Sequence, residues 1–338
     1  MMSDLRSTYD DVVVSEAWRC TQCGRLRKEH ICLKGFSRQH YEFVGMLRIR
    51  NEARWLAEVL ESIRPLCEMI YVLDDHSTDD SASICQRYDH VRVLASPFTG
   101  LNEARDKNYL YDQIIADCAP AWILCIDGDE VLERAGQEII RAWCAITEAQ
   151  SAKLKIEFLW GGRATVRVDR VYGDFWRPSL FRPFHEDPDK PDDQKILREC
   201  RWLGTPFGRQ RDGNPPNLHC SSVPQRFLHG AKLLPARLKH YGYMLREDRV
   251  NKLDYYTSID WKNDAEDWYR HMCQGDRVTS AELPRVRELV RTELMTQTEM
   301  DRLFTDAQDQ LVHAGPLVLA PWNEEAPWVL TPWAKAQS

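Results

Sequence analysis

The 338-residue sequence has no run approaching the roughly 20 consecutive apolar residues that a membrane-spanning helix needs, so peripheral contact is the only membrane association expected of it. Positive charge is also short: 45 Lys and Arg against 52 Asp and Glu leave a net charge of −7. That balance argues against a nucleic-acid partner, which calls for a basic surplus. A disulfide framework is missing as well. The eleven cysteines are scattered, and Cys67, Cys85, Cys118, Cys125 and Cys144 lie singly in apolar runs, where a reduced thiol packs as a small hydrophobe. Residues Met1 to Asp11 are polar and acidic, without the basic and then apolar layout of a signal peptide. A cytoplasmic location is therefore expected. No internal repeat is present.

What the chain does have is an apolar share of 43%, enough for a sizeable core, arranged as alternating strand and helix patterns from residue 41. Short apolar runs at Phe43–Ile49, Met69–Leu73, Val91–Leu94 and Trp122–Ile126 read as buried strands. Helical patterns over Glu52–Ile63, Ser81–Tyr88 and Asn102–Asp117 separate them. Such alternation predicts an α/β fold, a Rossmann-like, mainly parallel sheet flanked by helices. After residue 150 the regularity breaks into a mixed extension, with strands at Lys155–Trp160 and Ala164–Val168 and a loop-rich stretch from Arg177 to Asn217. Helices are expected over Arg246–Tyr256 and Leu283–Ala307, and the Trp- and Pro-rich tail from Leu317 to Trp333 reads as an irregular strap. The implied parts are an N-terminal extension (1–40), a regular α/β half (41–150), a mixed half (151–245) and C-terminal helices with the tail (246–338).

The N-terminal extension carries Cys20-Thr-Gln-Cys23-Gly, then His30-Ile-Cys32. A Cys-x2-Cys before Gly can present two thiolates to zinc, with His30 or Cys32 completing a tetrahedron. The competing reading is a reduced extension without metal.

The strongest chemical signal is Asp127-Gly128-Asp129-Glu130 at the end of an apolar strand. Two carboxylates flanking a glycine can aim at one hard cation; Asp-Gly is also an ordinary turn dipeptide. Three other stretches end or begin elements on the same side of the sheet, where open α/β sheets bind ligands. The first is Arg48-Ile-Arg50-Asn51-Glu52. The second is Asp74-Asp75-His76-Ser77-Thr78-Asp79-Asp80, whose carboxylates can accept the N3–H of a uracil or thymine ring and whose Ser77 or Thr78 can cap the next helix. The third is Asn102-Glu-Ala-Arg105-Asp106-Lys107-Asn108, whose Arg105 and Lys107 suit phosphate or base oxygens.

Together these motifs resemble family 2 glycosyltransferases of the GT-A fold. The family's Asn-Glu pair after the first strand is matched by Asn51-Glu52. Its Asp-Asp-x-Ser-x-Asp is matched by Asp74 to Asp79, with His76 where Gly is usual. Ala104-Arg105 and Asn108 match its helix start loosely, and Asp127 and Asp129 match its Asp-x-Asp. The motifs span about a quarter of the chain, from Val44 to Leu132. The resemblance implies transfer, with inversion, of a sugar from a nucleoside diphosphate (UDP or dTDP) to a glycan or small-molecule acceptor, using Mg²⁺ or Mn²⁺. It assigns donor binding to Arg48, Arg50, Asn51, Glu52, Asp74, Asp75, Arg105, Lys107, Asp127 and Gly128. It assigns metal binding to Asp127, Asp129 and His240, the last within Lys239-His240-Tyr241-Gly242-Tyr243 and otherwise readable as a core histidine hydrogen-bonded to backbone. Arg246, Arg249 or Lys252 downstream can reach phosphates or form a solvated helix face.

Inversion needs a base near the acceptor hydroxyl, and the pattern leaves it open. Asp174, among the aromatics of Tyr172-Gly-Asp-Phe-Trp176, Glu186 with Asp187, and His219 are the candidates, each equally readable as a solvated loop residue. Aromatics at Phe175, Trp176, Phe181, Phe184 and Trp202 interleave with Arg177, Arg182 and Arg201, as an acceptor cleft or as packing. Two alternatives keep the fold: a nucleotidyltransferase, disfavoured because Arg48 to Glu52 contains no glycine for a phosphate loop, and a noncatalytic sugar-nucleotide-binding subunit.

Overall fold

A computed structural model describes residues 39–183, 202, 220–260, 271–276, 278–292, 295–298, 300 and 317–322. Cys20, Cys23, His30, Cys32, Glu186, Asp187 and His219 lie outside the described residues. In chain order the elements are β1 (Gln39–Ile49), α1 (Leu56–Ile63), β2 (Met69–Asp74), α2 (Ser81–Cys85), β3 (Val91–Ala95), α3 (Glu103–Asp117), β4 (Cys118–Asp127), β5 (Glu130–Leu132) and α4 (Arg134–Cys144). There follow β6 (Ser151–Phe158), β7 (Thr165–Arg167), β8 (Trp176–Phe181), β9 (Lys232–His240), α5 (Arg246–Asp260), α6 (Pro284–Arg291) and β10 (Leu319–Pro321).

The main sheet has eight strands in the order β3-β2-β1-β4-β8-β6-β9-β5. β3, β2, β1 and β4 are mutually parallel, as the continuously apolar strands and intervening helices require. Alternate residues of β1 feed two cores. Phe43, Leu47 and Ile49 pack with Leu56, Val59, Leu60 and Ile63 of α1. Val44 and Met46 pack on the other face with Leu110, Tyr111, Ile114 and Ile115 of α3. Beyond β4 the sheet becomes mixed: β8 runs antiparallel to β4 and β6, β6 and β9 are parallel, and β5 returns antiparallel on β9. Strands from both halves anticipated in the sequence thus share one sheet.

Several boundaries differ from the periodicity. Helix α1 begins at Leu56 rather than Glu52, because the preceding backbone is tied elsewhere. Asn51 has φ 58°, and the N–H groups of Asn51, Glu52 and Ala53 donate to Ser77 Oγ, Ser81 Oγ and Asp79 Oδ2 across the β2–α2 loop. Helix α2 stops at Cys85, where Arg87 and Tyr88 switch to bonds on Ile84 and Cys85 carbonyls. Helix α6 ends at Arg291, and the Thr292 hydroxyl bonds back to Glu288 and Leu289 carbonyls. The tail is more regular than expected: β10 pairs antiparallel with β7 in a separate two-stranded sheet. Trp322 then lies against the guanidinium of Arg237 at 4.3 Å. Among the described residues no helix is long and apolar enough to cross a membrane.

One buried cation fixes this small sheet to the C-terminal part. The Arg167 side chain is fully buried. It donates to both oxygens of Asp169 at 2.9 and 2.8 Å, to the His271 carbonyl at 2.7 Å and to Gln274. Its guanidinium lies 4.0 Å from the Tyr172 ring centroid and 4.6 Å from that of Trp160. Removing it strands Asp169 in the interior, so Arg167→Ala is expected to cost about 3–5 kcal/mol, read as a lower urea midpoint. A change under about 0.5 kcal/mol would show the cluster to be dispensable.

Candidate functional site

The motif residues gather at the C-terminal ends of β1, β2 and β4, and the pairing of β5 with β9 adds a fourth contributor. Residues 127–130 turn from β4 into β5, whose Glu130 is registered opposite His240. Tyr241 N donates to the Asp129 carbonyl at 2.8 Å. A backbone ladder therefore brings residue 240 beside residue 129, 111 positions earlier. His240 Nε2 stands 3.8 Å from Asp129 Oδ2, with the ring stacked on Tyr243 at a centroid distance of 4.9 Å.

Two glycines make the approach possible. At Gly128 a Cβ would lie 2.8 Å from Glu52 Cγ and 2.9 Å from Ile49 Cγ2, so the triplet's centre must be bare for the β4 turn to sit on the β1 loop. At Gly242 a Cβ would lie 2.1 Å from Asp129 Oδ2, 2.3 Å from Lys252 Nζ and 2.9 Å from His240 Cε1.

The carboxylates are balanced by cations from later in the chain. Asp127 Oδ2 accepts from Arg177 Nη1 at 2.7 Å, and the other Arg177 amine holds the wholly buried Glu130. Glu130 Oε2 also accepts the Asp127 N–H at 3.0 Å, leaving Oε1 buried without a partner. Burial raises Asp127's proton affinity, but Arg177 and Lys107 outweigh it and hold this carboxyl well below the usual range. Asp129, 4% exposed, receives Lys252 Nζ at 3.1 Å. Burial pushes the His240 pKa down to about 4, so its ring is neutral at pH 7. Burial would raise Asp129, and with His240 neutral the Lys252 ammonium is the charge that holds it ionised. Glu52, desolvated and facing Asp129, is pushed up to about 9, and burial sets Glu130 at about 7.

The nucleotide side is more strongly cross-linked than expected. Asp75 is 1% exposed; its Oδ2 takes Arg48 at 2.5 Å and faces Arg50 at 3.6 Å. Arg48 also donates to Asp106 at 2.9 Å. Asp74 Oδ1 accepts the Ser77 N–H. Asn51 Oδ1 accepts the Thr78 N–H at 2.7 Å, joining the two loops; the first N–H of α2, that of Ser81, is taken by Asp79 Oδ1 at 3.0 Å rather than by Ser77 or Thr78. His76, where the family favours Gly, has φ 56°. That left-handed backbone explains the preference, and the ring's 2.5 Å contact with the Phe98 carbonyl holds it there.

Not every expected residue faces the site. Arg105 donates to the Thr99 and Gly100 carbonyls and to Asp106, bracing a loop. Lys107 is buried against Glu103 and the Ser221 carbonyl. The side chain of Asp174 is 85% exposed beside Lys155 and accepts from Trp176 Nε1. Register pairs Lys155 with Trp176, on the opposite face from Arg177. Phe181 and Trp202 are core packing. Arg249 is tied to Asp276 and to the Tyr243 and Met244 carbonyls, and Arg246 to Glu282. Of those three basic residues only Lys252 turns to Asp129. Sequence reasoning placed Arg177 among the arginines of an acceptor cleft and missed its grip on Asp127 and Glu130, as it missed the contact made by Gly242.

The donor set suits a divalent cation. An ionised carboxylate and a neutral imidazole stand on one small space, with Asp127 beside them. Among the described residues no group of three or more His, Cys, Asp or Glu forms a ready metal cage.

Residues 48–144 match the family model described as glycosyl transferase family 2. An uncharacterised Mycobacterium tuberculosis protein is 27% identical over 231 residues, covering 64% of this chain and 50% of that protein. The lipopolysaccharide core biosynthesis glycosyltransferase LpsC of Rhizobium meliloti is 31% identical over 94 residues, 27% of this chain and 32% of that protein. Among solved structures, S. aureus TarS aligns with 82% of this chain and 49% of its own, at 14% identity and a TM-score of 0.38. The chain spans half or less of the length of these relatives.

Gly242→Ala tests the site directly. Its clashes fall on side-chain ends, so the fold should persist while Asp129 and His240 are pushed apart. The expected outcome is Mn²⁺ binding weakened about 10-fold or more, with little change in thermal midpoint. Unchanged Mn²⁺ affinity would dissociate this corner from metal binding.

Proposed function

Because residues 48–144 belong to glycosyl transferase family 2, we propose that the chain transfers a sugar, with inversion, from a nucleoside diphosphate to a hydroxyl of a glycan or small-molecule acceptor. The observation that carries this reading is the convergence of Asp127, Asp129 and His240 at the end of β4, with β1 between it and β2, whose end leads into Asp75. Such a cleft offers a base-recognising carboxylate and a cation site on strand ends of the same parallel sheet, the two needs of a nucleotide-sugar.

In this reading Arg48 fixes the Asp75 carboxylate for the uracil or thymine edge, and Arg50, half exposed, borders the nucleotide. Asp129 and His240, with Asp127, would hold Mg²⁺ or Mn²⁺, which when bound supplies charge neutralisation for the leaving diphosphate. The neutral state of His240 leaves a ring nitrogen free to ligate. The acceptor's proton goes to one of the candidate bases Asp174, Glu186, Asp187 or His219. The similarity to LpsC, 31% identical over 94 residues, supports sugar transfer as the reaction class. A nucleotidyltransferase finds less support, since the described loop after β1 has no glycine to cradle phosphates.

The test is metal-dependent turnover of a panel of UDP-, dTDP- and GDP-sugars by purified protein. Asp129→Ala and Asp127→Ala should each lower turnover by about 100-fold or more, because a bound cation contributes several kcal/mol of charge stabilisation. Circular dichroism should be unchanged. Near-normal turnover in either variant would move the cation elsewhere. Asp75→Ala should act mainly on donor affinity, and unaltered donor binding would remove its proposed role.

A further inference from the structure

We propose that Lys252 is a resident counter-ion, occupying the cation's place on Asp129 and passing to the donor's diphosphate when a divalent cation binds. This rests on the metal reading above and adds to it the order in which charges exchange. Lys252 Nζ lies 3.1 Å from Asp129 Oδ2, the same oxygen that faces His240 Nε2 at 3.8 Å. The Gly242 backbone closes over all three groups so tightly that a methyl would touch each within 3 Å. One carboxylate oxygen in that space cannot hold both an ammonium and a divalent ion at contact distance, so one cation must leave.

Lys252 is the one built to move. Its side chain is 28% exposed, with the ammonium over the Tyr243 ring at 4.9 Å. A lysine carries a compact charge on a flexible four-carbon stem. Arg177, the neighbouring cation, is gripped by Asp127 and Glu130 at once. The helix under Lys252 is anchored by Arg249, 4% exposed and bonded to Asp276, and by Arg54 donating to Asp248 at 2.9 Å. Side-chain rotation alone therefore carries the ammonium away from Asp129. A diphosphate beside the same cation is the nearest new anion it would meet. The device keeps Asp129 partnered and oriented before donor arrives.

The experiment measures Mn²⁺ binding to the full chain without nucleotide, from the electron paramagnetic resonance signal of free Mn²⁺, and UDP binding at saturating Mn²⁺ by calorimetry. Lys252→Gln should bind Mn²⁺ roughly tenfold or more tighter than wild type, the factor that one charge about 3 Å away exerts even at the dielectric constant of water. It should bind UDP more weakly by a similar factor, with Lys252→Arg restoring UDP affinity. Merely structural damage would not tighten Mn²⁺. Mn²⁺ affinity unchanged or weakened in Lys252→Gln, or UDP affinity unchanged, overturns the proposal. Asp129→Asn separates the two readings. If it loses Mn²⁺ while Lys252→Gln binds as wild type, only the Lys252 exchange falls; if it binds Mn²⁺ normally, the cation site itself is elsewhere.

Discussion

Glu52, Asp127, Asp129 and Glu130 converge at one turn, and their mutual repulsion is the constraint around which the second half of the chain is arranged. Left alone in this partly buried corner they would share protons or open the turn. The fold brings a guanidinium from β8 and an ammonium from α5 instead. Arg177 reaches Asp127 and Glu130 because β8 lies antiparallel beside β4. Lys252 reaches Asp129 because α5 follows directly from the end of β9. The remaining proton affinity falls on Glu52 and Glu130, whose raised pKa values mark them as the groups that absorb what Arg177 and Lys252 do not.

This charge balance explains why so much of the nucleotide-side motif is scaffold. Asn51, Ser77, Asp79 and Ser81 spend their hydrogen bonds joining the β1 and β2 loops. Arg48 bridges Asp75 and Asp106, tying α3 to the same corner. Rigid loops place Asp75 and the 127–129 turn at a fixed separation, which a two-part ligand demands. A motif residue can thus be characteristic of the family by holding another in place.

The parallel half was legible from the sequence because its strands are continuously apolar and its helices carry period-3.6 stripes, as Leu56, Val59, Leu60 and Ile63 illustrate. The Asp127–Asp129 turn and His240 were legible through motif resemblance. The contacts of Arg177 and Gly242 were not, since they depend on which face of β8 meets β4 and how closely residue 242 passes residue 129. Neither leaves a periodic trace. Helix α1 was overextended for a related reason: the apolar stripe says nothing of the hydrogen bonds that pull residues 51–53 toward the neighbouring loop. Asp174 looked attractive among aromatics, yet one residue of strand alternation puts its neighbour Trp176 on the far side from Arg177.

His76 and Gly242 show two ways a chain meets the same steric demand. At residue 76 the backbone is left-handed, a conformation costing a side-chain-bearing residue of order 1 kcal/mol, and the imidazole offsets it by holding the Phe98 carbonyl. Position 76 has room for a side chain, so substitution there trades strain for a contact. At residue 242 the demand is space rather than φ, and the space already contains Asp129 Oδ2 and Lys252 Nζ. No side chain can offset that overlap. The two positions should therefore differ in what they tolerate: residue 76 admits any residue that can bear positive φ, whereas residue 242 admits only the absence of a side chain for as long as Asp129 and His240 must share one cation.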